Sequence, residues 1–137
     1  MTENYAIVFE PPFYFSLKDM LLGYSMNTAL KNDVDATTKV HVVHLADGKV
    51  QSIDSKMFAF ILHFGNTFEK DGKIYIDAPA QENPNINQFT TLSYKNLTES
   101  KILDRKIGVN FSRFEINLEK ETVSIETLIP SENGSFD

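Results

Sequence analysis

The chain contains no cysteine, which excludes a disulfide framework, thiolate catalysis and thiolate-bound zinc. It also lacks a basic surplus: 13 lysines and arginines stand against 19 carboxylates, for a formal net charge of −6. Nucleic-acid binding needs a basic patch to displace counterions, so the charge argues against that partner class. No apolar run approaches the roughly 18 residues of a membrane-spanning helix. Met1 is followed by Thr-Glu-Asn-Tyr rather than by basic residues and an apolar stretch, so no secretory leader is expected. Glycosylation sequons at Asn96, Asn110 and Asn133 then read as chance matches. The expected location is cytoplasmic.

What is present suffices for a core. The chain has 137 residues and is 42% hydrophobic; a monomer of this size buries roughly 68% of the surface its unfolded chain exposes. Tyr5 to Phe9, stopped by Glu10-Pro11-Pro12, reads as a buried strand. Ser16 offers an N-cap, with Asp19 three residues on, and Leu17, Met20, Leu21 and Tyr24 follow at helical spacing. The pattern predicts a helix over about Leu17 to Leu30.

Beyond it, strands dominate. Lys39 to Leu45, a turn at Asp47-Gly48 and Lys49 to Ile53 predict one hairpin. Met57 to Phe64 is an almost unbroken apolar run, as in an inner strand covered on both faces. Asp71-Gly72 is a hairpin dipeptide with Lys73 to Ala78 as its return strand, and Gln81 to Asn87 reads as a loop. Lys95 to Asn110 is weakly patterned. The last hairpin is clear: Phe114, Ile116 and Leu118 alternate with polar residues, Glu119-Lys120-Glu121 turns, and Val123, Ile125, Thr127 and Ile129 alternate again. The fold class is mainly β with one early helix; such spacing suits a sandwich, a barrel or propeller blades.

Three histidines carry the chemistry worth weighing. His41 and His44 are three apart on one predicted strand, so alternation sends them to opposite faces and they read as ordinary strand residues. His63 is the only polar residue in Met57 to Phe64. A buried imidazole needs partners for both ring nitrogens, which a hydrogen-bonded core or a metal would each supply. One histidine alone never makes a metal site. Gly65 and Asn66 either bring the backbone close to such a site or simply form the turn.

Three segments resemble the carotenoid cleavage oxygenase family, which includes carotenoid and stilbene dioxygenases and retinoid isomerohydrolases. Thr2-Glu3-Asn4-Tyr5-Ala6-Ile7-Val8-Phe9 is similar to the family's T-x-N-Y strand. His63-Phe64-Gly65-Asn66-Thr67-Phe68-Glu69 resembles its H-x-x-N-A-[FYW]-E motif, with Thr67 at the usual alanine. Arg113 to Leu118, running on to Phe136-Asp137, resembles the hairpin before its E-F-P-R segment. The resemblance implies part of a seven-bladed β-propeller, about two blades with one inserted α-helix. Residues 1–137 would then be a single internal fragment, with the remainder of the propeller as its missing partner.

It further implies a four-histidine Fe(II) centre open to O2, with His63 as one ligand and the other three outside this chain. Asp137 falls near a carboxylate that orients a ligand histidine in the family. The implied reaction is oxidative cleavage of a conjugated double bond in an apolar polyene or stilbene. Phe58, Phe60, Phe64 and Phe68 would line a tunnel or, for most of them, simply fill strand cores. The segment Phe13 to Leu22 would border a tunnel mouth and a patch meeting the membrane surface, or else pack its helix on the sheet. Its polar face lacks the basic residues of many surface-lying helices. Alone, the chain is expected to bind no iron tightly, to be inactive and to be poorly soluble. Competing readings are a non-catalytic β-rich binding module on the same scaffold and a retinoid isomerohydrolase.

Overall fold

A computed structural model describes residues 1–24, 29–33, 35–82 and 109–131. Short strands meet short, glycine- or carboxylate-bearing turns, and almost everything regular is β. Strands β1 (Tyr5–Glu10), β4 (Lys39–His44) and β5 (Val50–Asp54) form an antiparallel sheet in the order β1-β4-β5. A second sheet runs β10-β9-β8-β6, from β6 (Phe60–Ile61), β8 (Lys73–Gln81), β9 (Val109–Asn117) and β10 (Thr122–Ile129). Strand β7 (Thr67–Lys70) also pairs with β8. A small ribbon joins β2 (Phe13–Phe15) to β3 (Leu30–Asn32), with α1 (Leu17–Leu21) between them in sequence.

Alternation builds the core. Even-numbered residues of β4, β8 and β9 point inward: Val40, Val42, Ile74, Ile76, Ala78, Phe114 and Ile116 are all nearly or fully buried. Tyr5, Ile7 and Phe9 of β1 pack against this cluster. The Phe9 ring meets Phe114 edge-on, with centroids 5.2 Å apart. Gln51 on β5 donates to the Leu118 carbonyl at 2.9 Å, tying the first sheet to the β9–β10 turn.

Several expectations hold. The β4–β5 and β9–β10 hairpins form where the sequence places them. Asp71 and Gly72 both take positive φ, 52° and 73°, as a two-residue hairpin with the strands' own twist requires.

Three others are corrected. Strand β1 is half-buried rather than buried: Val8 is 53% exposed on its outer side. The helix α1 stops at Leu21, well short of Leu30, and residues 25–28 of the predicted span lie outside the described residues. Ser16 caps it, its hydroxyl accepting from the Asp19 N–H at 3.3 Å, but Gly23 adopts φ 79° directly after it. A left-handed glycine ends a helix, and Leu30 is drawn into β3 opposite Phe15. No residue of α1 is buried, so this helix does not pack on a sheet.

Finally, Met57 to Phe64 is not a continuous inner strand. Lys56 takes φ 60°, and the fully buried Thr38 claims the backbone beyond it. Its N–H donates to the Met57 carbonyl at 2.8 Å, and its hydroxyl bonds both polar groups of Ala59. Only Phe60 and Ile61 are left to pair with β8. Residues 83–108, including most of the predicted loop and most of the weakly patterned segment, lie outside the described residues.

Candidate functional site

Along one edge of β8, β6 and β7 behave as a single strand interrupted by a bulge. Ile61 pairs with Ala80 and Thr67 with Ile76. Five residues, Leu62 to Asn66, therefore oppose three, Asp77 to Pro79. Such an excess bends an edge strand and re-aims its side chains. His63 sits inside this bulge and is exposed, as are Leu62 and Phe64. The covered position expected for its ring is not what forms, because the bulge lifts the segment off the ladder.

The bulge is held at its base by main chain. The Gly65 N–H donates to the Asp77 carbonyl and the Asp77 N–H to the Asn66 carbonyl, both at 2.8 Å. A Cβ added at Gly65 would stand 2.9 Å from the Asp77 oxygen, so the close approach depends on glycine. Backbone groups of alternate strand residues face opposite neighbours. Pro79 thus faces the bulge with Asp77, at a place where no ladder needs its missing N–H.

Behind the bulge lies an ion pair whose carboxylate is buried and whose guanidinium is partly exposed. The Asp77 side chain is 8% exposed and accepts from Arg113 Nε at 2.6 Å and Nη2 at 2.7 Å. That bidentate match holds the Arg113 guanidinium above its usual pKa. The guanidinium also stands 5.4 Å from the centre of the Phe68 ring, which stacks on Tyr75 at 5.1 Å. Lys73 and Glu115 continue this polar ladder at 2.7 Å.

The third support joins distant segments. Glu69 accepts from the backbone N–H and the side-chain amide of Asn4, each at 3.0 Å. Hydrogen bonding from Thr2 and then Asn4 lowers the Glu69 carboxyl pKa from its ordinary value.

The His63 ring has no hydrogen-bond partner among the described residues. It lines a pocket of about 150 Å³ with Phe60, Leu62, Pro79, Gln81 and Val109. An imidazole without a partner among the described residues fits Fe(II) as a single ligand. Among the described residues no group of three or more histidines or carboxylates could hold a metal ion, so His63 does not form a complete site here.

The other candidates separate from it. His41 bonds Ser52 at 2.8 Å and Glu10 at 2.6 Å; His44 bonds Asp47 at 2.7 Å. Both are ordinary strand residues, as expected. Asp137 lies outside the described residues, as do Asn96 and Asn133. Asn110 is engaged with Glu82 and the Ser131 N–H, and Ser112 of its sequon is fully buried.

Of the four phenylalanines, Phe58 and Phe60 both pack edge-on against Phe13, Phe68 stacks on Tyr75, and the half-exposed Phe64 leans on Phe9. Sequence reasoning missed the Asp77–Arg113 and Asn4–Glu69 pairs. Period-two alternation puts Asp77 and Arg113 on outward faces, but only the register brings them opposite each other.

A family model described as retinal pigment epithelial membrane protein matches residues 1–136. A curated carotenoid isomerooxygenase from Drosophila melanogaster is 34% identical over 91 residues, which cover 63% of this chain and 14% of that relative. Among solved structures, a chimera of ACO and RPE65 superposes with a TM-score of 0.76 at 22% identity. Cobalt-substituted ACO of Synechocystis, an apocarotenoid oxygenase, gives 0.72 at 20%. Both matches cover 93% of this chain and 26% of the solved one. At those identities the likeness is one of fold, and the chain spans about a quarter of the solved relatives' length.

Proposed function

Because the chain belongs to the retinal pigment epithelial membrane protein family, that of the carotenoid cleavage oxygenases, we propose that it is part of a non-haem Fe(II) dioxygenase. The substrate class is a carotenoid, apocarotenoid or stilbene, and the reaction is cleavage of a conjugated C=C bond by O2 to two carbonyl products. The observation that carries this reading is His63: a metal-binding residue type, inside the family-like motif, on a bulge, with both ring nitrogens unclaimed by the described residues.

His63 would hold the iron together with three histidines from outside this chain, and the bound iron would supply O2 activation. The chain's own residues do the rest. The bulge presents the imidazole, Gly65 and Asp77 hold the bulge to β8, and Phe60, Leu62 and Pro79 offer an apolar wall beside the ring. Such a wall binds a polyene by burial and excludes water from its reacting end. In this reading the chain amounts to about two blades of a seven-bladed propeller. It is inactive alone.

The exposed side chains around α1 support peripheral membrane contact of a cytoplasmic protein. Leu17, Leu21 and Leu22 are 73%, 88% and 64% exposed, and large apolar side chains exposed close together along the chain are of the sort that marks interaction sites. Among the described residues no helix is long and apolar enough to cross a membrane.

A second reading is isomerisation of the polyene at the same centre; the curated relative's description as an isomerooxygenase names isomerisation beside oxygenation. The deciding experiment uses the longer protein containing these residues. Stoichiometric iron and carbonyl products carrying label from 18O2 are expected, both lost in His63→Ala. Isomerised polyene without cleavage would favour the second reading. Full iron occupancy in His63→Ala would overturn the assignment of His63. Ligand binding without any turnover or iron would point to a non-catalytic module.

A further inference from the structure

We propose that Gly65, Asp77 and Arg113 are positioning residues that fix the direction of the His63 imidazole, an inference that rests on reading His63 as an iron ligand. A ligand side chain serves a metal only when its direction is held to about 10–20°. A surface bulge of five residues would not hold one unaided. Here the free span is short. Ile61 is pinned to Ala80 on one side, and Gly65 to Asp77 on the other. His63 is the middle residue between these two anchors.

The second anchor is itself locked. Asp77 uses its main chain on the bulge and its carboxylate on Arg113, so one residue couples the two. A nearly buried carboxylate requires its counter-charge, which keeps Arg113 in the fork. Arg113 in turn lies over Phe68, two residues after Asn66 on the outgoing leg of the bulge. Main chain, ion pair and ring contact thereby converge on one loop from behind. Gly65 is needed because any Cβ would strike the Asp77 carbonyl at 2.9 Å and meet the Phe111 ring at 3.7 Å.

The test is hydrogen exchange and nuclear magnetic resonance on the longer protein containing these residues, comparing Gly65→Ala, Arg113→Gln and Arg113→Lys with Lys73→Gln. The last breaks the neighbouring Lys73–Glu115 pair on the same face. In the first two variants the Gly65 and Asp77 amides are expected to exchange at least about tenfold faster. Nuclear Overhauser contacts expected of the His63 ring across the pocket that it lines with Phe60 and Pro79 should also disappear, while protection at Phe114 and Ile116 persists. Arg113→Lys should recover part of the effect and Lys73→Gln should show none.

Unchanged ring contacts in both Gly65→Ala and Arg113→Gln would overturn the proposal. If protection at Ile116 is lost and the chain has unfolded, Arg113→Lys decides by the same readout: weakened ring contacts support the proposal and native ones overturn it. In the longer protein, Gly65→Ala should weaken cobalt(II) binding about 10–100-fold. Failure of His63 as a ligand is a separate result, seen as unchanged metal content in His63→Ala, and leaves the ring contacts in the chain as they are.

Discussion

Asn4 and Glu69 lie 65 positions apart and are joined by two hydrogen bonds of 3.0 Å, one from main chain and one from side chain. Each belongs to a different one of the three segments by which the sequence resembles its family. The pair fastens the start of β1 to β7, directly downstream of the His63 bulge.

This pairing predicts an acid dependence. Hydrogen bonds from Thr2 and Asn4 depress the Glu69 pKa from the usual 4.5. A depressed carboxyl contributes stability that is present above that value and is lost as pH falls through the folded-state pKa. Glu69→Gln should therefore flatten the loss of thermal stability below pH 4.5 relative to the parent. A carbon NMR titration placing Glu69 at or above the ordinary glutamate range would contradict this.

Phe114 is fully buried and touches Phe9 across the two sheets. Phe114→Ala should cost about 3–5 kcal/mol by lost burial and cavity formation. Total stabilities of domains are only about 5–15 kcal/mol, so urea unfolding should show a chain near its threshold. A loss below about 1 kcal/mol would mean the two sheets do not share this core.

Isolated, the chain should bind Fe(II) no better than a protein with one surface histidine, because one imidazole offers no chelation. Iron analysis after dialysis is expected to give far less than one equivalent. Stoichiometric iron would require ligands beyond His63 within these 137 residues.

The apolar surface at α1 should partition onto phosphatidylcholine vesicles. Burying one leucine is worth about 1.5–3 kcal/mol, so Leu21→Glu should weaken co-sedimentation about tenfold or more. Leu21 is 88% exposed, so folding should be unaffected. Equal sedimentation of both proteins would place the contact elsewhere.

Edge strands and exposed Leu128 and Ile129 on β10 favour self-association, since unpaired strand edges template further pairing. Size-exclusion chromatography at rising concentration should show growing oligomers. A monodisperse monomer with a sharp thermal transition would count against this.

Much of the β framework was legible because it rests on local rules. Asp71-Gly72 and the alternation in Phe114 to Ile129 specify hairpins through turn chemistry and period-two burial, which need no distant partner. The helix was overestimated for the same reason: Leu17 to Tyr24 has helical spacing, but Gly23 and the pairing of Leu30 with Phe15 override it. Met57 to Phe64 misled because hydrophobicity reports burial, not ladder pairing, and Thr38 takes the backbone bonds a strand would have used.

By itself, the order of residues determined the class of fold, the hairpin turns, the family motifs and the separation of His41 from His44. Only the folded chain decided that His63 rides on a bulge, that Gly65 must lack a side chain, and that Asp77 meets Arg113. These depend on register between segments tens of residues apart, and register is set by the packing of the whole sheet rather than by any local preference.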